Sequence, residues 1–525
     1  PEGRAMVALL INGDGKFDPA GMRDAKKPLL FVQNGIHSGE IEGKDASLML
    51  ARDLLIRGKN PELLQRANWI IVPIFSVDAH ERFSPFNRIN QNGPFEMGWR
   101  ATAQNLNLNR DWMKADAPEM RAELDLVHKF KPDFLFDNHT TDGSDHQFLL
   151  TLGIPWGATM PAATATWSRR MYDSVTARCN AAGIKTAPYF ELSDRSNPAA
   201  PISIEDFSPR YSHGYAALIN RPSVLVETHV LKPYGDRVRA TYRLMTEVAT
   251  ECISDVSRLK ALNRDADTAG MATKEGDAIT LSSETSDKAD PFTFYGYQWD
   301  PQPSAITGAK VAHWDRTKPI TVQTTIRQTF RPGLTVTAPA AYVVPAAWSD
   351  AIAAIRRHGV ESFSTRANWT GDVNSWSFSQ VKFPSSPFET RFSPNYRAAS
   401  ITESRLIPAG SLVVPIGQPL ARLVAHLFEP SAPDSLMKWG LFNAVFEQKE
   451  YGEDYATEPV AQRMLASDPK LRAEFAEALK DTKFAADPGA RLRFFFERSP
   501  YWDVRLNKCP IVKLTTQQLK AIRSL

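Results

Sequence analysis

From Met6 to about Leu262, short apolar runs alternate with longer stretches patterned at 3.6 residues, and few folds accommodate such an alternation. The strand candidates are Met6–Ile11, Leu29–Gln33, Trp69–Phe75, Asp133–Asn138 and Ser223–Thr228. Between them lie helix patterns. Ile41–Arg57 is stopped by Gly58 and Pro61, Pro118–Lys129 begins on a proline suited to a first turn, Pro161–Ala182 ends at Gly183, and Asp236–Leu262 follows the last strand. A succession of this kind predicts an α/β architecture with helices on both faces of one sheet, occupying residues 1–262.

Beyond it the character changes. Residues 263–290 are polar with few large apolar side chains and read as a linker or long excursion. Alternating stretches such as Ile320–Phe330 and Leu334–Ala338, a helix Ala347–His358 closed by Gly359, and segments Ser411–Pro415 and Leu420–Phe428 predict a second, α+β domain over 291–525. Helical patterns return at Leu436–Gln448 and Glu458–Lys480, before a strand Pro510–Leu514. The role of this half is not written in its residues. His313, His358 and His426 stand isolated, and the aromatic run Asn368–Phe388 reads as packing material. We expect it to pack on the first half and wall its cleft.

Composition matters here for what it excludes. A net charge of +3, with basic residues scattered rather than blocked, gives no footprint for nucleic acid. No apolar run approaches the ~20 residues of a membrane helix. Three cysteines, Cys179, Cys252 and Cys509, cannot make a disulfide framework. The chain opens almost directly on a strand pattern, so we expect residues upstream to have been removed and a periplasmic or secreted location. The oligomeric state is open.

The chemistry gathers where strands end. Leu29–Glu40, LLFVQNGIHSGE, breaks at Asn34-Gly35 and presents His37 and Glu40 three apart on the following turn. Imidazole and carboxylate both suit zinc, although a His-x-x-Glu alone is a weak signal. DFLFDNHTTDG carries His139 beyond a strand, SVLVETH carries Glu227, and NLNLNRDW places Asn109-Arg110 before a turn. Each has a dull explanation taken singly, as a core histidine, a strand-end carboxylate or a surface ion pair.

Taken in that order, His37-Ser38-Gly39-Glu40, Asn109-Arg110, His139 and Glu227 resemble the zinc metallocarboxypeptidases of the carboxypeptidase A type, here with a large C-terminal extension. Arg88, in FNRINQNGP, resembles the upstream arginine of that family's site. The resemblance implies a mixed-sheet, three-layer α/β/α peptidase domain, one zinc ion, and a peptide substrate with a free C-terminus. It implies His37, Glu40 and His139 as zinc ligands and Glu227 as the catalytic carboxylate. Asn109 and Arg110 would hold the terminal carboxylate, and Arg88 would polarise the scissile carbonyl. The chemistry is consistent: three protein ligands leave zinc a position for water, and a carboxylate nearby can take that water's proton. An unpaired strand-end glutamate beside a cation is expected to titrate low.

Three points depart from the family. Asn-Arg continues as Asp-Trp, the aromatic neighbour of the third ligand is replaced by Thr140-Thr141, and His80 stands where a turn is usual, which makes it a competing third ligand. The family's substrate-contacting tyrosine could be Tyr211 or Tyr215; we take Tyr211. The pocket for the terminal side chain would be built around Ser203–Tyr215. His229 could support the metal site or cap the next loop. Two other functions keep the same residues: a zinc amidohydrolase or deacylase acting on N-acyl amino acids or cell-wall peptides, and a catalytically silent peptide-binding module.

Overall fold

Leu29–Asn34, Asn68–Val72 and Ser223–Val226 are buried at every position. A strand covered on both faces needs no polar alternation, which is why these segments are continuous apolar runs in the sequence. The computed structural model describes residues 1–525. Its first half contains strands β1 (Leu9–Ile11), β2 (Leu29–Asn34), β3 (Asn68–Val72), β4 (Phe134–Thr141), β5 (Leu150–Gly153), β6 (Thr186–Pro188), β7 (Ile202–Ser203) and β8 (Ser223–His229). Seven of them form one sheet in the order β1-β3-β2-β4-β8-β5-β6. The central strands β3, β2, β4 and β8 run parallel, whereas β1 and β5 are antiparallel to their inner neighbours, so the sheet is mixed.

The pleat sends alternate residues to opposite layers. Leu30 and Val32 meet Ala46 and Leu50 of helix Glu42–Leu55, in one core with Trp167 and Met171 of helix Ala162–Ala181 and Leu244 and Met245 of helix Tyr234–Ser254. Phe31, Ile70 and Leu135 face the other way, towards Met120 and Leu124 of helix Pro118–Phe130 and Tyr215 of helix Ser212–Leu218. The three layers are therefore helix, sheet, helix. The second core does not stop at the helices. It runs on through Tyr342, Val344, Ile355, Leu412 and Phe428, so the two halves share one continuous apolar interior.

The second half centres on a six-stranded sheet that includes Ala341–Val344, Leu412–Pro415 and the long hairpin of Trp369–Lys382 with Asn395–Ile407. A second long hairpin, Asp290–Trp299 with Trp314–Arg327, reaches back to pair with β7. All three cysteines are free and buried.

Several segments differ from the expectations set by sequence. The stretch 263–290 is ordered structure rather than a free linker. Leu262, Asn263, Ala266 and Gly270 give it a buried face that completes helix Val256–Met271, and Ala278–Thr280 and Ser283–Thr285 then pair with later strands. The helix pattern at 236–262 is two helices, broken at Asp255, whose side chain caps the second. Leu436–Gln448 is turns and one short 3-10 segment, Asn443–Phe446. Glu458–Lys480 divides at Asp468-Pro469, where the aspartate caps a new helix. Asn109 and Arg110 lie within a 3-10 turn, Leu108–Arg110, rather than before one, because Asn107 caps it.

Candidate active site

The site is assembled by register. After β2 the chain turns at Gly35, whose φ of +65° suits a residue without Cβ, and a bond from the Glu40 N–H to the His37 carbonyl closes the turn carrying both side chains. Gly39 must be small as well, since a Cβ there would lie 2.7 Å from the Arg88 side chain and 2.8 Å from the Gly98 carbonyl oxygen. In the neighbouring parallel strand Asn138 pairs with Asn34, so His139 emerges beside the turn, and Glu227 of β8 stands opposite His139 in the next register. His139 and Glu227 lie within their strands rather than beyond them, because pairing continues through Thr141 and His229.

His37, Glu40 and His139 bring their ligand atoms within 4.8 Å of one another, all three buried. Glu40 sits between the imidazoles, with Oε1 3.1 Å from His37 Nδ1 and Oε2 3.1 Å from His139 Nδ1. Donors at zinc's ~2.0–2.1 Å in tetrahedral array stand roughly 3.3 Å apart, so this spacing fits the ion. The far ring atoms are fixed too. Asn107 Oδ1 accepts from the Asn109 N–H at 3.0 Å and lies 2.9 Å from His37 Nε2, so that ring atom carries the proton. His139 Nε2 lies 2.8 Å from Asp137 Oδ2, which also accepts from Ser212 Oγ, while Gln33 holds Asp137 Oδ1. Both imidazoles are thereby turned with Nδ1 towards Glu40.

Charge favours a cation at this point. Burial lowers the His37 pKa and keeps that ring neutral, as a ligand must be. Burial opposes ionisation of Glu40, yet His37 and Arg88 hold its carboxyl well below the usual range. His139 lies well above its ordinary value against burial, because Asp137 and Glu40 bond it and Glu227 stands near. Three carboxylates thus converge on one imidazole.

Glu227 itself does not titrate low. Burial pushes it up to about 8, partly offset by His139 and Arg100, and its Oε2 has no hydrogen-bond partner. The sequence expectation weighed a neighbouring cation and not the enclosure, which dominates in the protein alone.

A cavity of about 830 Å³ opens over the trio, and Arg88, Arg100, Asn109, Arg110, Tyr211 and Glu227 all line it. Arg88 Nη2 donates to Glu40 Oε1 at 2.8 Å, and Arg100, half exposed, approaches the same oxygen at 3.5 Å. Arg110 makes no ion pair; its guanidinium donates to the Asn109 carbonyl and stacks on the Tyr211 ring at 4.5 Å. Tyr215 lies elsewhere, fully buried, its hydroxyl between His128 and His358. His80 is outside the trio, beside Lys44 and Glu81. His229 bonds the Ser144 carbonyl and touches none of the three.

Four residues of this centre escaped the sequence reading: Asn107, Asp137, Arg100 and Glu389. Asp137 could have been found, since it shares a strand face with His139 two residues on.

The chain is similar in part to known carboxypeptidases. Residues 1–147 match the family described as zinc carboxypeptidase, a span that includes His37, Glu40, Arg88, Asn109, Arg110 and His139 but ends before Tyr211 and Glu227. The chain is 21% identical over 431 residues to Carboxypeptidase 2 of Trichophyton rubrum, covering 79% of this chain and 74% of that one. Among solved structures it is similar to a metallo-carboxypeptidase from Burkholderia cenocepacia, at 18% identity with a TM-score of 0.35. A Pseudomonas aeruginosa metallo-carboxypeptidase in complex with (2-guanidinoethylmercapto)succinic acid gives 17% identity and the same TM-score. Each match covers 49% of this chain and 62% of the solved one, so the chain spans about three fifths of their length.

Proposed function

We propose that this chain, whose residues 1–147 match the family described as zinc carboxypeptidase, removes the C-terminal residue of peptides. The observation that carries this reading is Arg110. It is a partly buried guanidinium with no acidic partner, in the same cavity as the His37, Glu40 and His139 group, and free to take an anion.

His37, Glu40 and His139 would hold the zinc, which when bound supplies Lewis acidity towards a carbonyl and a water. Arg110 receives the substrate's terminal carboxylate through a bidentate fork, with Asn109 beside it and the Tyr211 ring behind. That anchorage places the last peptide bond over the trio. Glu227, which lines the cavity, takes the proton of the attacking water and returns it to the leaving amine. Arg88 and Arg100 supply positive charge where the carbonyl oxygen becomes negative, with Arg88 the more rigidly held of the two.

Arginine bound to a free carboxylate predicts a sharp discrimination. Matched peptides with free and amidated C-termini should differ by at least about a hundredfold in kcat/KM, because the amide leaves Arg110 desolvated without its counter-charge. Equal rates on the two would overturn the exopeptidase reading and favour hydrolysis of another amide.

A further inference from the structure

The two imidazoles of the metal trio are braced from different parts of the chain. Behind His139 stands Asp137, on the same strand. Behind His37 stands Asn107, a neutral side chain on a loop, and what fixes that loop comes from the second half. Glu389 Oε2 accepts the Asn107 backbone N–H at 2.9 Å, across 282 residues of sequence.

The turn that delivers Glu389 is built at a cost. Phe388 and Arg391 bond each other's backbones at 2.9 and 3.0 Å, leaving Glu389 and Thr390 as the two central residues at φ of +50° and +65°. Neither is Gly or Asn, the residues that ordinarily occupy such a turn. It is clamped on both sides. Arg391 forms a two-pronged pair with Asp116, at 3.0 and 2.5 Å, and Phe388 stacks on Trp439 with a centroid distance of 6.1 Å. Strain held this firmly points to a task for the residue being presented.

We propose that Glu389 is a positioning residue for the metal centre, acting through Asn107 on the orientation of His37. This rests on the metal reading given above. The carboxylate fixes the Asn107 backbone, and that sets the Asn107 Oδ1 which receives the His37 Nε2 proton. His37 Nδ1 then faces Glu40. Without Glu389 the Asn107 N–H loses its acceptor and the loop end is released, so one ligand of the three becomes loose while His139 keeps its brace. The second half would thus be part of the metal site and not only a wall beside it.

The test is zinc affinity of the metal-stripped full-length protein, measured by competition with a chromogenic chelator. His37→Ala defines the site by losing tight binding. Glu389→Ala should raise the zinc Kd about tenfold or more, the range seen when partners behind metal ligands are removed. Glu389→Gln, which keeps an acceptor oxygen, should stay nearer wild type. Thr390→Gly, which relieves the turn and keeps the carboxylate, should bind as wild type does. In an Asn107→Ala background the Glu389→Ala change should add little, because the link is already cut.

A Glu389→Ala protein that binds zinc as tightly as wild type, while His37→Ala does not, overturns the proposal and leaves the metal reading standing. Fully additive losses in the double variant overturn it as well. If wild type itself shows no zinc binding that depends on His37, the metal reading fails first. Should Glu389→Ala fold poorly, Glu389→Met, which keeps the side chain's length without an acceptor oxygen, decides by the same criterion, alone and with Asn107→Ala.

Discussion

Glu227 combines two properties that pull against each other: enclosure that pushes its carboxyl up to about 8, and a place in the lining of the cavity. Its Oε2 has no hydrogen-bond partner, whereas Asp137 and Glu40 in the same centre have three or more each. Leaving one oxygen free is tolerable only if a proton, a water or a cation meets it during function. Glu227→Gln therefore separates two roles. Its amide cannot take a proton, so turnover should fall by roughly 10²–10⁴-fold. The three ligands are untouched, so zinc content, measured by atomic absorption on the purified protein, should stay at one ion. Turnover equal to wild type would remove Glu227 from the chemistry.

At the scale of elements, the sequence exposed most of what lies in continuous, doubly buried strands, because burial on both faces leaves no other composition. β2, β4 and β8 were legible for that reason, and with them His37, Glu40, His139 and Glu227. Loops were legible only where a motif named them. Asn107 looked like one more polar residue in NLNLNRDW, and its use as a cap and a brace depends on a turn that propensity does not announce. Helix Pro118–Phe130 shows the converse. Its proline start is plain in the sequence, but nothing there singles out Glu123, which is buried with both carboxylate oxygens unpartnered. Burial, with Asp137 nearby, pushes Glu123 up to about 8 from an ordinary 4.5. Below that ordinary value the folded and unfolded chains both hold the proton, and no difference arises. As pH rises towards 8 the unfolded chain ionises while the folded one does not, so stability falls and then levels off. Glu123→Gln is free of this loss. Its melting temperature should match wild type near pH 5 and exceed it at pH 9, by a difference on the order of 2–5 kcal/mol in unfolding free energy. A constant difference at all pH values would show that the carboxyl is not buried neutral.

At the scale of the molecule, residues 1–262, 263–290 and 291–525 remain our proposed division of labour, with catalysis in the first. It is a poor division of folding. The core under helix Pro118–Phe130 continues into Tyr342, Val344, Leu412 and Phe428 without an intervening polar layer. Polar contacts stitch the same boundary: the Tyr215 hydroxyl lies 3.0 Å from His358 Nδ1, Arg210 pairs with Asp434, Arg391 with Asp116, and Arg357 donates to the Ala115 carbonyl. Independent domains meet through modest and more polar surfaces, and removing one leaves the other soluble. Here a chain ended at Asp290 would present Trp112, Met113 and Tyr215 to water along with the apolar face of helix Pro118–Phe130. A contiguous exposed patch of that kind drives association. We therefore expect the 1–290 fragment to be recovered in aggregates or to elute from size exclusion as higher species, and not to bind zinc with full-length affinity. The full-length chain should unfold in one transition that reports both halves together, with tryptophan fluorescence and far-ultraviolet dichroism coinciding. A monomeric 1–290 fragment that unfolds cooperatively at the full-length temperature would contradict the shared core. In that case Glu389 could not serve His37 by being part of the same folding unit, and the second half would be an accessory to a peptidase complete without it.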